Sequence, residues 1–152
     1  LYDPPAATAA HAAGIGAVLD LTLGASSGHP GVLPFSGRFT VTALSDGNFT
    51  GTGPMAIGRR YRLGPTAVLR IGGVEVLVAS GRAQLLDQAI LRHIGIDPTA
   101  KRILAIKSSV HFRADFEPIA EDVLVTVAPG PNTADHREIE YRRLREGVEI
   151  LP

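Results

Sequence analysis

A chain of 152 residues, 45% of them hydrophobic, is long enough for one domain with a sizeable core. Lys plus Arg and Asp plus Glu each number 15, so the formal net charge is zero, and nothing in the charge balance favours nucleic acid or an anionic membrane as partner. There are no cysteines, which excludes disulfides and thiolate metal sites. No apolar run approaches the ~20 residues of a membrane span and no signal peptide is visible, so a cytoplasmic location is expected.

Asp3-Pro4-Pro5 is a helix start, with Asp as N-cap and Pro in the first turn. The Ala-rich run to Ala13 continues the helix, and Gly14 and Gly16 can end it. Residues 17–23 alternate Leu19, Leu21 and Leu23 with Asp20 and Thr22, which predicts a half-buried strand. A Ser/Gly/Pro loop with His29 follows. Phe39, Val41 and Ala43 alternate with polar residues as a second strand. Asp46-Gly47 is a two-residue hairpin signal with Phe49 on the return strand. Residues 59–63 suit a short edge strand, and residues 66–79 suit a second hairpin turning at Gly72-Gly73. Asp87 caps a helix to about His93, closed by Gly95, and Asp97-Pro98 is a turn.

The unbroken apolar run Ile103, Leu104, Ala105 and Ile106 predicts a strand buried on both faces. It turns polar at once with Lys107, Ser108, Ser109, His111, Arg113 and Asp115; a short helical stretch, limited by Pro118, then leads to a further apolar strand at 123–127. Strand, helix and strand in that order outline a βαβ unit. The whole is expected to be α+β: a mixed sheet with antiparallel hairpins, one βαβ unit and few short helices, in a single domain. After Pro129 the chain is polar and charged to Arg145, which predicts an extended surface tail with a little helix.

In open α/β sheets, ligands gather at the carboxyl ends of strands, where helix N-termini also point. The segment 107–113 is therefore the first place to look for chemistry. His111 beside two hydroxyls, a lysine and an arginine could donate a proton or hydrogen-bond a substrate carbonyl; it could equally hold the turn in shape. Ser109 is expected to cap the helix, and Ser108, Lys107 and Arg113 to bind a carboxylate or an oxyanion. The local counterpart is an Arg113–Glu117 pair at i,i+4. A serine nucleophile is disfavoured, since there is no Gly-x-Ser-x-Gly elbow. His111 and Asp115 are four apart, but two ligands do not make a zinc site, and Asp115 is expected in the first helical turn. Of the other histidines, His93 is read as a partly buried packing residue, and His11 and His136 as solvated.

The run Lys-Ser-Ser-Val-His-Phe-Arg-Ala-Asp-Phe-Glu-Pro-Ile-Ala at 107–120 resembles a block of the C-terminal domain of the microcystinase C (MlrC-like) metallopeptidases. Three further blocks are similar to that domain in the same order, at 63–74, 86–97 and 141–145. The resemblance implies a C-terminal piece of a zinc-dependent peptidase or amidohydrolase acting on a peptide-like amide. Its zinc would be held by a larger N-terminal domain, with no complete ligand set in this chain. Family members carry a Gly-rich segment before the position of Tyr2-Asp3-Pro4, and the chain begins at Leu1 rather than Met, both of which fit a piece. The implied partners are the N-terminal metal domain and the substrate, with a homo-oligomer also open. The resemblance favours the catalytic role for His111. The competing expectation is a non-catalytic module that stabilises its partner domain or forms an oligomer interface.

Overall fold

The structure is a computed structural model and describes residues 1–25, 33–108, 110–126 and 139–149. Helix α1 (Pro4–Ala13) begins as its sequence dictates. Asp3 Oδ1 accepts the Ala6 N–H, and Gly14, at φ 84°, ends the helix. Asp3 is buried, and its Oδ2 accepts the Gly24 N–H at 2.8 Å, so one carboxylate ties the helix start to the end of the first strand. Strands β1 (Val18–Leu23), β2 (Phe35–Ser45), β3 (Asn48–Thr50), β4 (Arg60–Arg62), β5 (Thr66–Ile71) and β6 (Val74–Ala79) follow.

β1, β2, β5 and β6 form one antiparallel sheet in the order β1-β2-β5-β6. β5 and β6 turn at Gly72-Gly73, as expected, with Ile71 opposite Val74 and Gly72 at φ 55°. Helix α1 lies on this sheet through Ala6, Ala7 and Ala10, whose small side chains admit Phe39, Val41, Leu69 and Val78 close to the helix axis. Those four are fully buried and contribute about 1.5–3 kcal/mol each. His11, read as solvated, is instead partly buried, with Nε2 3.1 Å from the Thr66 carbonyl oxygen.

The fold is α+β, but two local expectations fail. Asp46-Gly47 does join two strands tightly, yet they do not pair with each other. β2 stays in the large sheet, whereas β3 pairs with β4, Asn48 opposite Arg62, in a separate two-stranded ribbon. Asp46 bonds the Asn48 side-chain amide and backbone N–H, which hold its carboxyl below the usual range. A Cβ on Gly47 would lie 2.3 Å from the Gly64 carbonyl oxygen, so the turn is pressed against the strand connection beyond it rather than opening as a hairpin.

The predicted βαβ unit is the second departure. Ile103, Leu104, Ala105 and Ile106 run as unpaired chain, with Ile103 87% exposed. Residues 123–126 are likewise unpaired, with Leu124 87% and Val125 77% exposed, and Val127 lies outside the described residues. The large sheet does contain a parallel contact, but the N-terminus makes it. Tyr2 bridges Ala79, the Asp3 N–H donates to the Ala79 carbonyl, and the Ala79 N–H donates to the Leu1 carbonyl. Residues 1–3 thus cover the end of β6 at Leu77–Ala79. The tail at 139–149 is exposed, with turns and bends only.

A second apolar cluster, of Ala56, Tyr61, Leu63, Ala79 and Ile90, sits under the ribbon. His93 stacks on Phe49 at 4.3 Å between ring centroids, and Phe49 stacks on Tyr61 at 4.8 Å. Both His93 nitrogens are enclosed without a hydrogen-bond partner among the described residues, and burial pushes its pKa below 6.5. It is a packing residue, as expected. Helices α2 (Ala89–Arg92) and α3 (Arg113–Phe116) are single turns, the latter continuing into a 3₁₀ turn at Glu117–Ile119 that contains Pro118.

Buried Asp87 ties this half together. Its Oδ1 accepts the Ala89 N–H at 2.7 Å at the start of α2, from one residue before the N-cap position, which Gln88 holds instead of the expected Asp87. Its Oδ2 accepts the Thr52 and Gly53 N–H groups at 2.8 and 3.0 Å. Asp87→Ala would leave three backbone donors without their acceptor, two of them buried, so a loss of about 3 kcal/mol is expected in urea denaturation, with a smaller loss for Asp87→Asn. His93 supplies a pH dependence. In the folded chain burial makes its imidazole harder to protonate than in the unfolded chain, which takes up a proton once the pH falls below 6.5. The stability present above that pH should therefore fall as the pH drops through the folded-state pKa. His93→Phe, which keeps the stack, should flatten the melting-temperature profile between about pH 7 and about pH 5.5.

Candidate functional site

The turn at 107–113 is attached to the domain through Asp115 and Phe116. Phe116 is buried, and Asp115 Oδ2 accepts the Gln88 N–H at 2.6 Å while the Gln88 side-chain amide donates to the Asp115 carbonyl. Asp115 is thus a structural acceptor one turn after His111 and not its co-ligand. Since α3 has only one turn, few peptide dipoles add at its start, and the helix-end contribution to anion binding is smaller than a longer helix would give.

His111 is exposed, with Nδ1 3.2 Å from Gln84 Oε1. The same carboxamide donates from Nε2 to Ser108 Oγ at 2.8 Å. A carboxamide oxygen can only accept, so in this arrangement Nδ1 carries the proton, and Nε2 is left as the atom available to a ligand. Gln84 escaped the sequence reading. It stands 24 and 27 residues from its two partners, so no local spacing announces it.

The other expected site residues are distributed unevenly. Ser108 joins the Gln84 group. Arg113 is held by Glu117 at 3.1 Å, the i,i+4 pair, and lies beside the Phe112 ring. Lys107 is exposed and in no ion pair among the described residues. Ser109, His29 and His136 lie outside the described residues. No three His, Asp or Glu side chains among the described residues converge as a metal site requires. Nor is any described helix long and apolar enough to cross a membrane.

What the geometry defines, then, is an α+β domain that presents a tethered histidine on a turn, without a metal-ligand set of its own among the described residues. Residues 1–143 match the family model for the MlrC C-terminus, and the chain belongs to that family. It is 28% identical over 136 residues to microcystinase C of a Sphingomonas species, a match covering 90% of this chain and 26% of that protein. It also resembles a solved structure from Mesorhizobium sp. BNC1 described as a "putative metallopeptidase", with a TM-score of 0.77 and 26% identity over 85% of this chain and 26% of the other. The chain therefore spans about a quarter of the length of these relatives.

If Gln84 sets the tautomer, removing it should show in the ring nitrogens. Long-range proton–nitrogen NMR spectra should report a protonated Nδ1 for His111 in the parent chain and a shift toward the Nε2–H form in Gln84→Ala. Identical spectra would mean that the contact does not order the ring.

Proposed function

We propose that this chain acts as the C-terminal domain of a zinc-dependent peptidase or amidohydrolase, and that the turn at 107–113 lines a substrate cleft completed by another, metal-bearing domain. The carrying observation is the exposed His111 with Nδ1 held by Gln84, in a chain that belongs to the MlrC C-terminus family and is similar to a microcystinase. A histidine held at Nδ1 keeps that bond in both charge states. Nε2 can then take or give a proton while the ring stays fixed. In this role His111, once protonated at Nε2, donates to the substrate carbonyl or passes that proton to the departing amine, while Ser108, Ser109, Lys107 and Arg113 supply polar and cationic contacts to the substrate. The described residues do not fit a zinc site, so the metal and the water it activates would belong to the partner domain.

A second reading has its own support. Arg113 and Asp115 are both engaged inside the domain, as capping and packing would require of a purely structural module. The two separate on His111→Ala in the complete protein that carries this chain. Unchanged melting and metal content with turnover of a peptide-like amide lowered by about 10²-fold or more is the expected result. Unchanged turnover would leave only the structural role.

A further inference from the structure

We propose that the cleft between β4 and the segment at 82–86 is an anion site that receives a carboxylate group of the substrate. It has a volume of about 320 Å³ and is lined by Arg59, Arg60, Arg62, Arg82 and Gln84, with no Asp or Glu in its lining. On β4 the alternation of a strand turns Arg60 and Arg62 to the exposed face while Tyr61 is buried behind them. The Arg59 guanidinium lies 5.1 Å from the Tyr61 ring centroid, and that of Arg82 lies 4.4 Å from the Tyr2 centroid. Stacking steadies the planar groups through their faces and leaves the N–H edges free.

Among the described residues none of these four arginines forms an ion pair, whereas Arg92, Lys101, Arg113 and Arg142 each do. In a chain of zero net charge this is a local segregation of positive charge, and the mutual repulsion it carries is relieved by a bound anion. The forked N–H donors of a guanidinium match the two oxygens of a carboxylate. The cleft is also contiguous with the turn, because Gln84 lines it and bonds both His111 and Ser108. A carboxylate held by the arginines therefore sets the remainder of a peptide-like ligand beside His111. The role of that ligand as substrate rests on the hydrolase reading above; the binding of the anion does not.

The test is isothermal titration of the complete protein carrying this chain, at matched ionic strength, with N-acetylglutamate, its neutral counterpart N-acetylglutaminamide, in which both carboxyl groups are amides, and inorganic phosphate. Saturable binding of N-acetylglutamate is expected, with none for N-acetylglutaminamide and weaker binding of phosphate. Arg62→Gln and Arg82→Gln should each weaken it about tenfold, as loss of a charged hydrogen-bonding partner implies, while Arg70→Gln on β5 should leave it unchanged. Arg62→Lys, which keeps the charge but not the fork, serves if the Gln variant does not fold, and should also bind more weakly. Equal binding of the acid and the amide, tighter binding of phosphate, or N-acetylglutamate binding that survives the cleft substitutions would each overturn the proposal. His111→Ala keeps the two readings apart. It should retain N-acetylglutamate binding whether or not turnover falls, and loss of that binding would overturn the independence of the anion site.

Discussion

One buried carboxylate organises the functional half of this domain. Taking Asp87 out of water is costly unless its oxygens are repaid in hydrogen bonds, and three backbone N–H groups converge on it. Those donors come from the loop after β3 and from the start of α2, so the carboxylate joins the small ribbon to the helix. The next residue, Gln88, then grips Asp115, and with it the turn that displays His111. The position of the candidate site thus descends from a single carboxylate by way of two side-chain contacts, whereas the sheet and α1 pack around their own apolar cluster, with Asp3 as its buried carboxylate.

This division explains why the two halves use different physics. The large sheet is held by non-directional burial around Phe39, Val41, Leu69 and Val78. The ribbon half has fewer enclosed apolar side chains and relies on carboxylate-to-backbone bonds and on the His93–Phe49–Tyr61 stack. A two-stranded ribbon alone is marginal in water, so directional bonds of this kind are what give the arginine-bearing strand a defined place.

Features that depend on a residue and its immediate neighbours were legible in the sequence. Asp3 before two prolines, Gly72-Gly73, Asp87 before a helix and Pro118 all behave as their chemistry requires. Features that depend on a distant partner were not. Asp46-Gly47 has the right spacing for a hairpin, but strand pairing is decided by distant partners: β5 takes residues 40–45 of β2, and β4 takes β3. The apolar run at 103–106 has the composition of an interior strand, but composition does not reveal whether a partner strand is in reach, and residues 1–3 already cover the end of β6 at Leu77–Ala79. At the site, His111 and Ser108 were visible as a polar cluster after an apolar run. Gln84 and Arg82 were not, because a loop glutamine or arginine looks the same in sequence whether it is solvated or placed.

The packing around Gly53 sets how freely this region can vary. A Cβ there would stand 2.7 Å from Asp115 Oδ2 and 3.2 Å from Asp87 Cγ, and one on Gly51 would stand 2.7 Å from Asp87 Oδ2. Neither glycine has a positive φ, so the restriction is one of space and not of backbone conformation. A single methyl group would act as a wedge between the two carboxylates that carry the ribbon and the turn. Thr52, Pro54 and Met55, interleaved with these glycines, are exposed. The loop therefore alternates between positions that can accept almost any side chain and positions that can accept none, and its tolerance to substitution changes completely from one residue to the next.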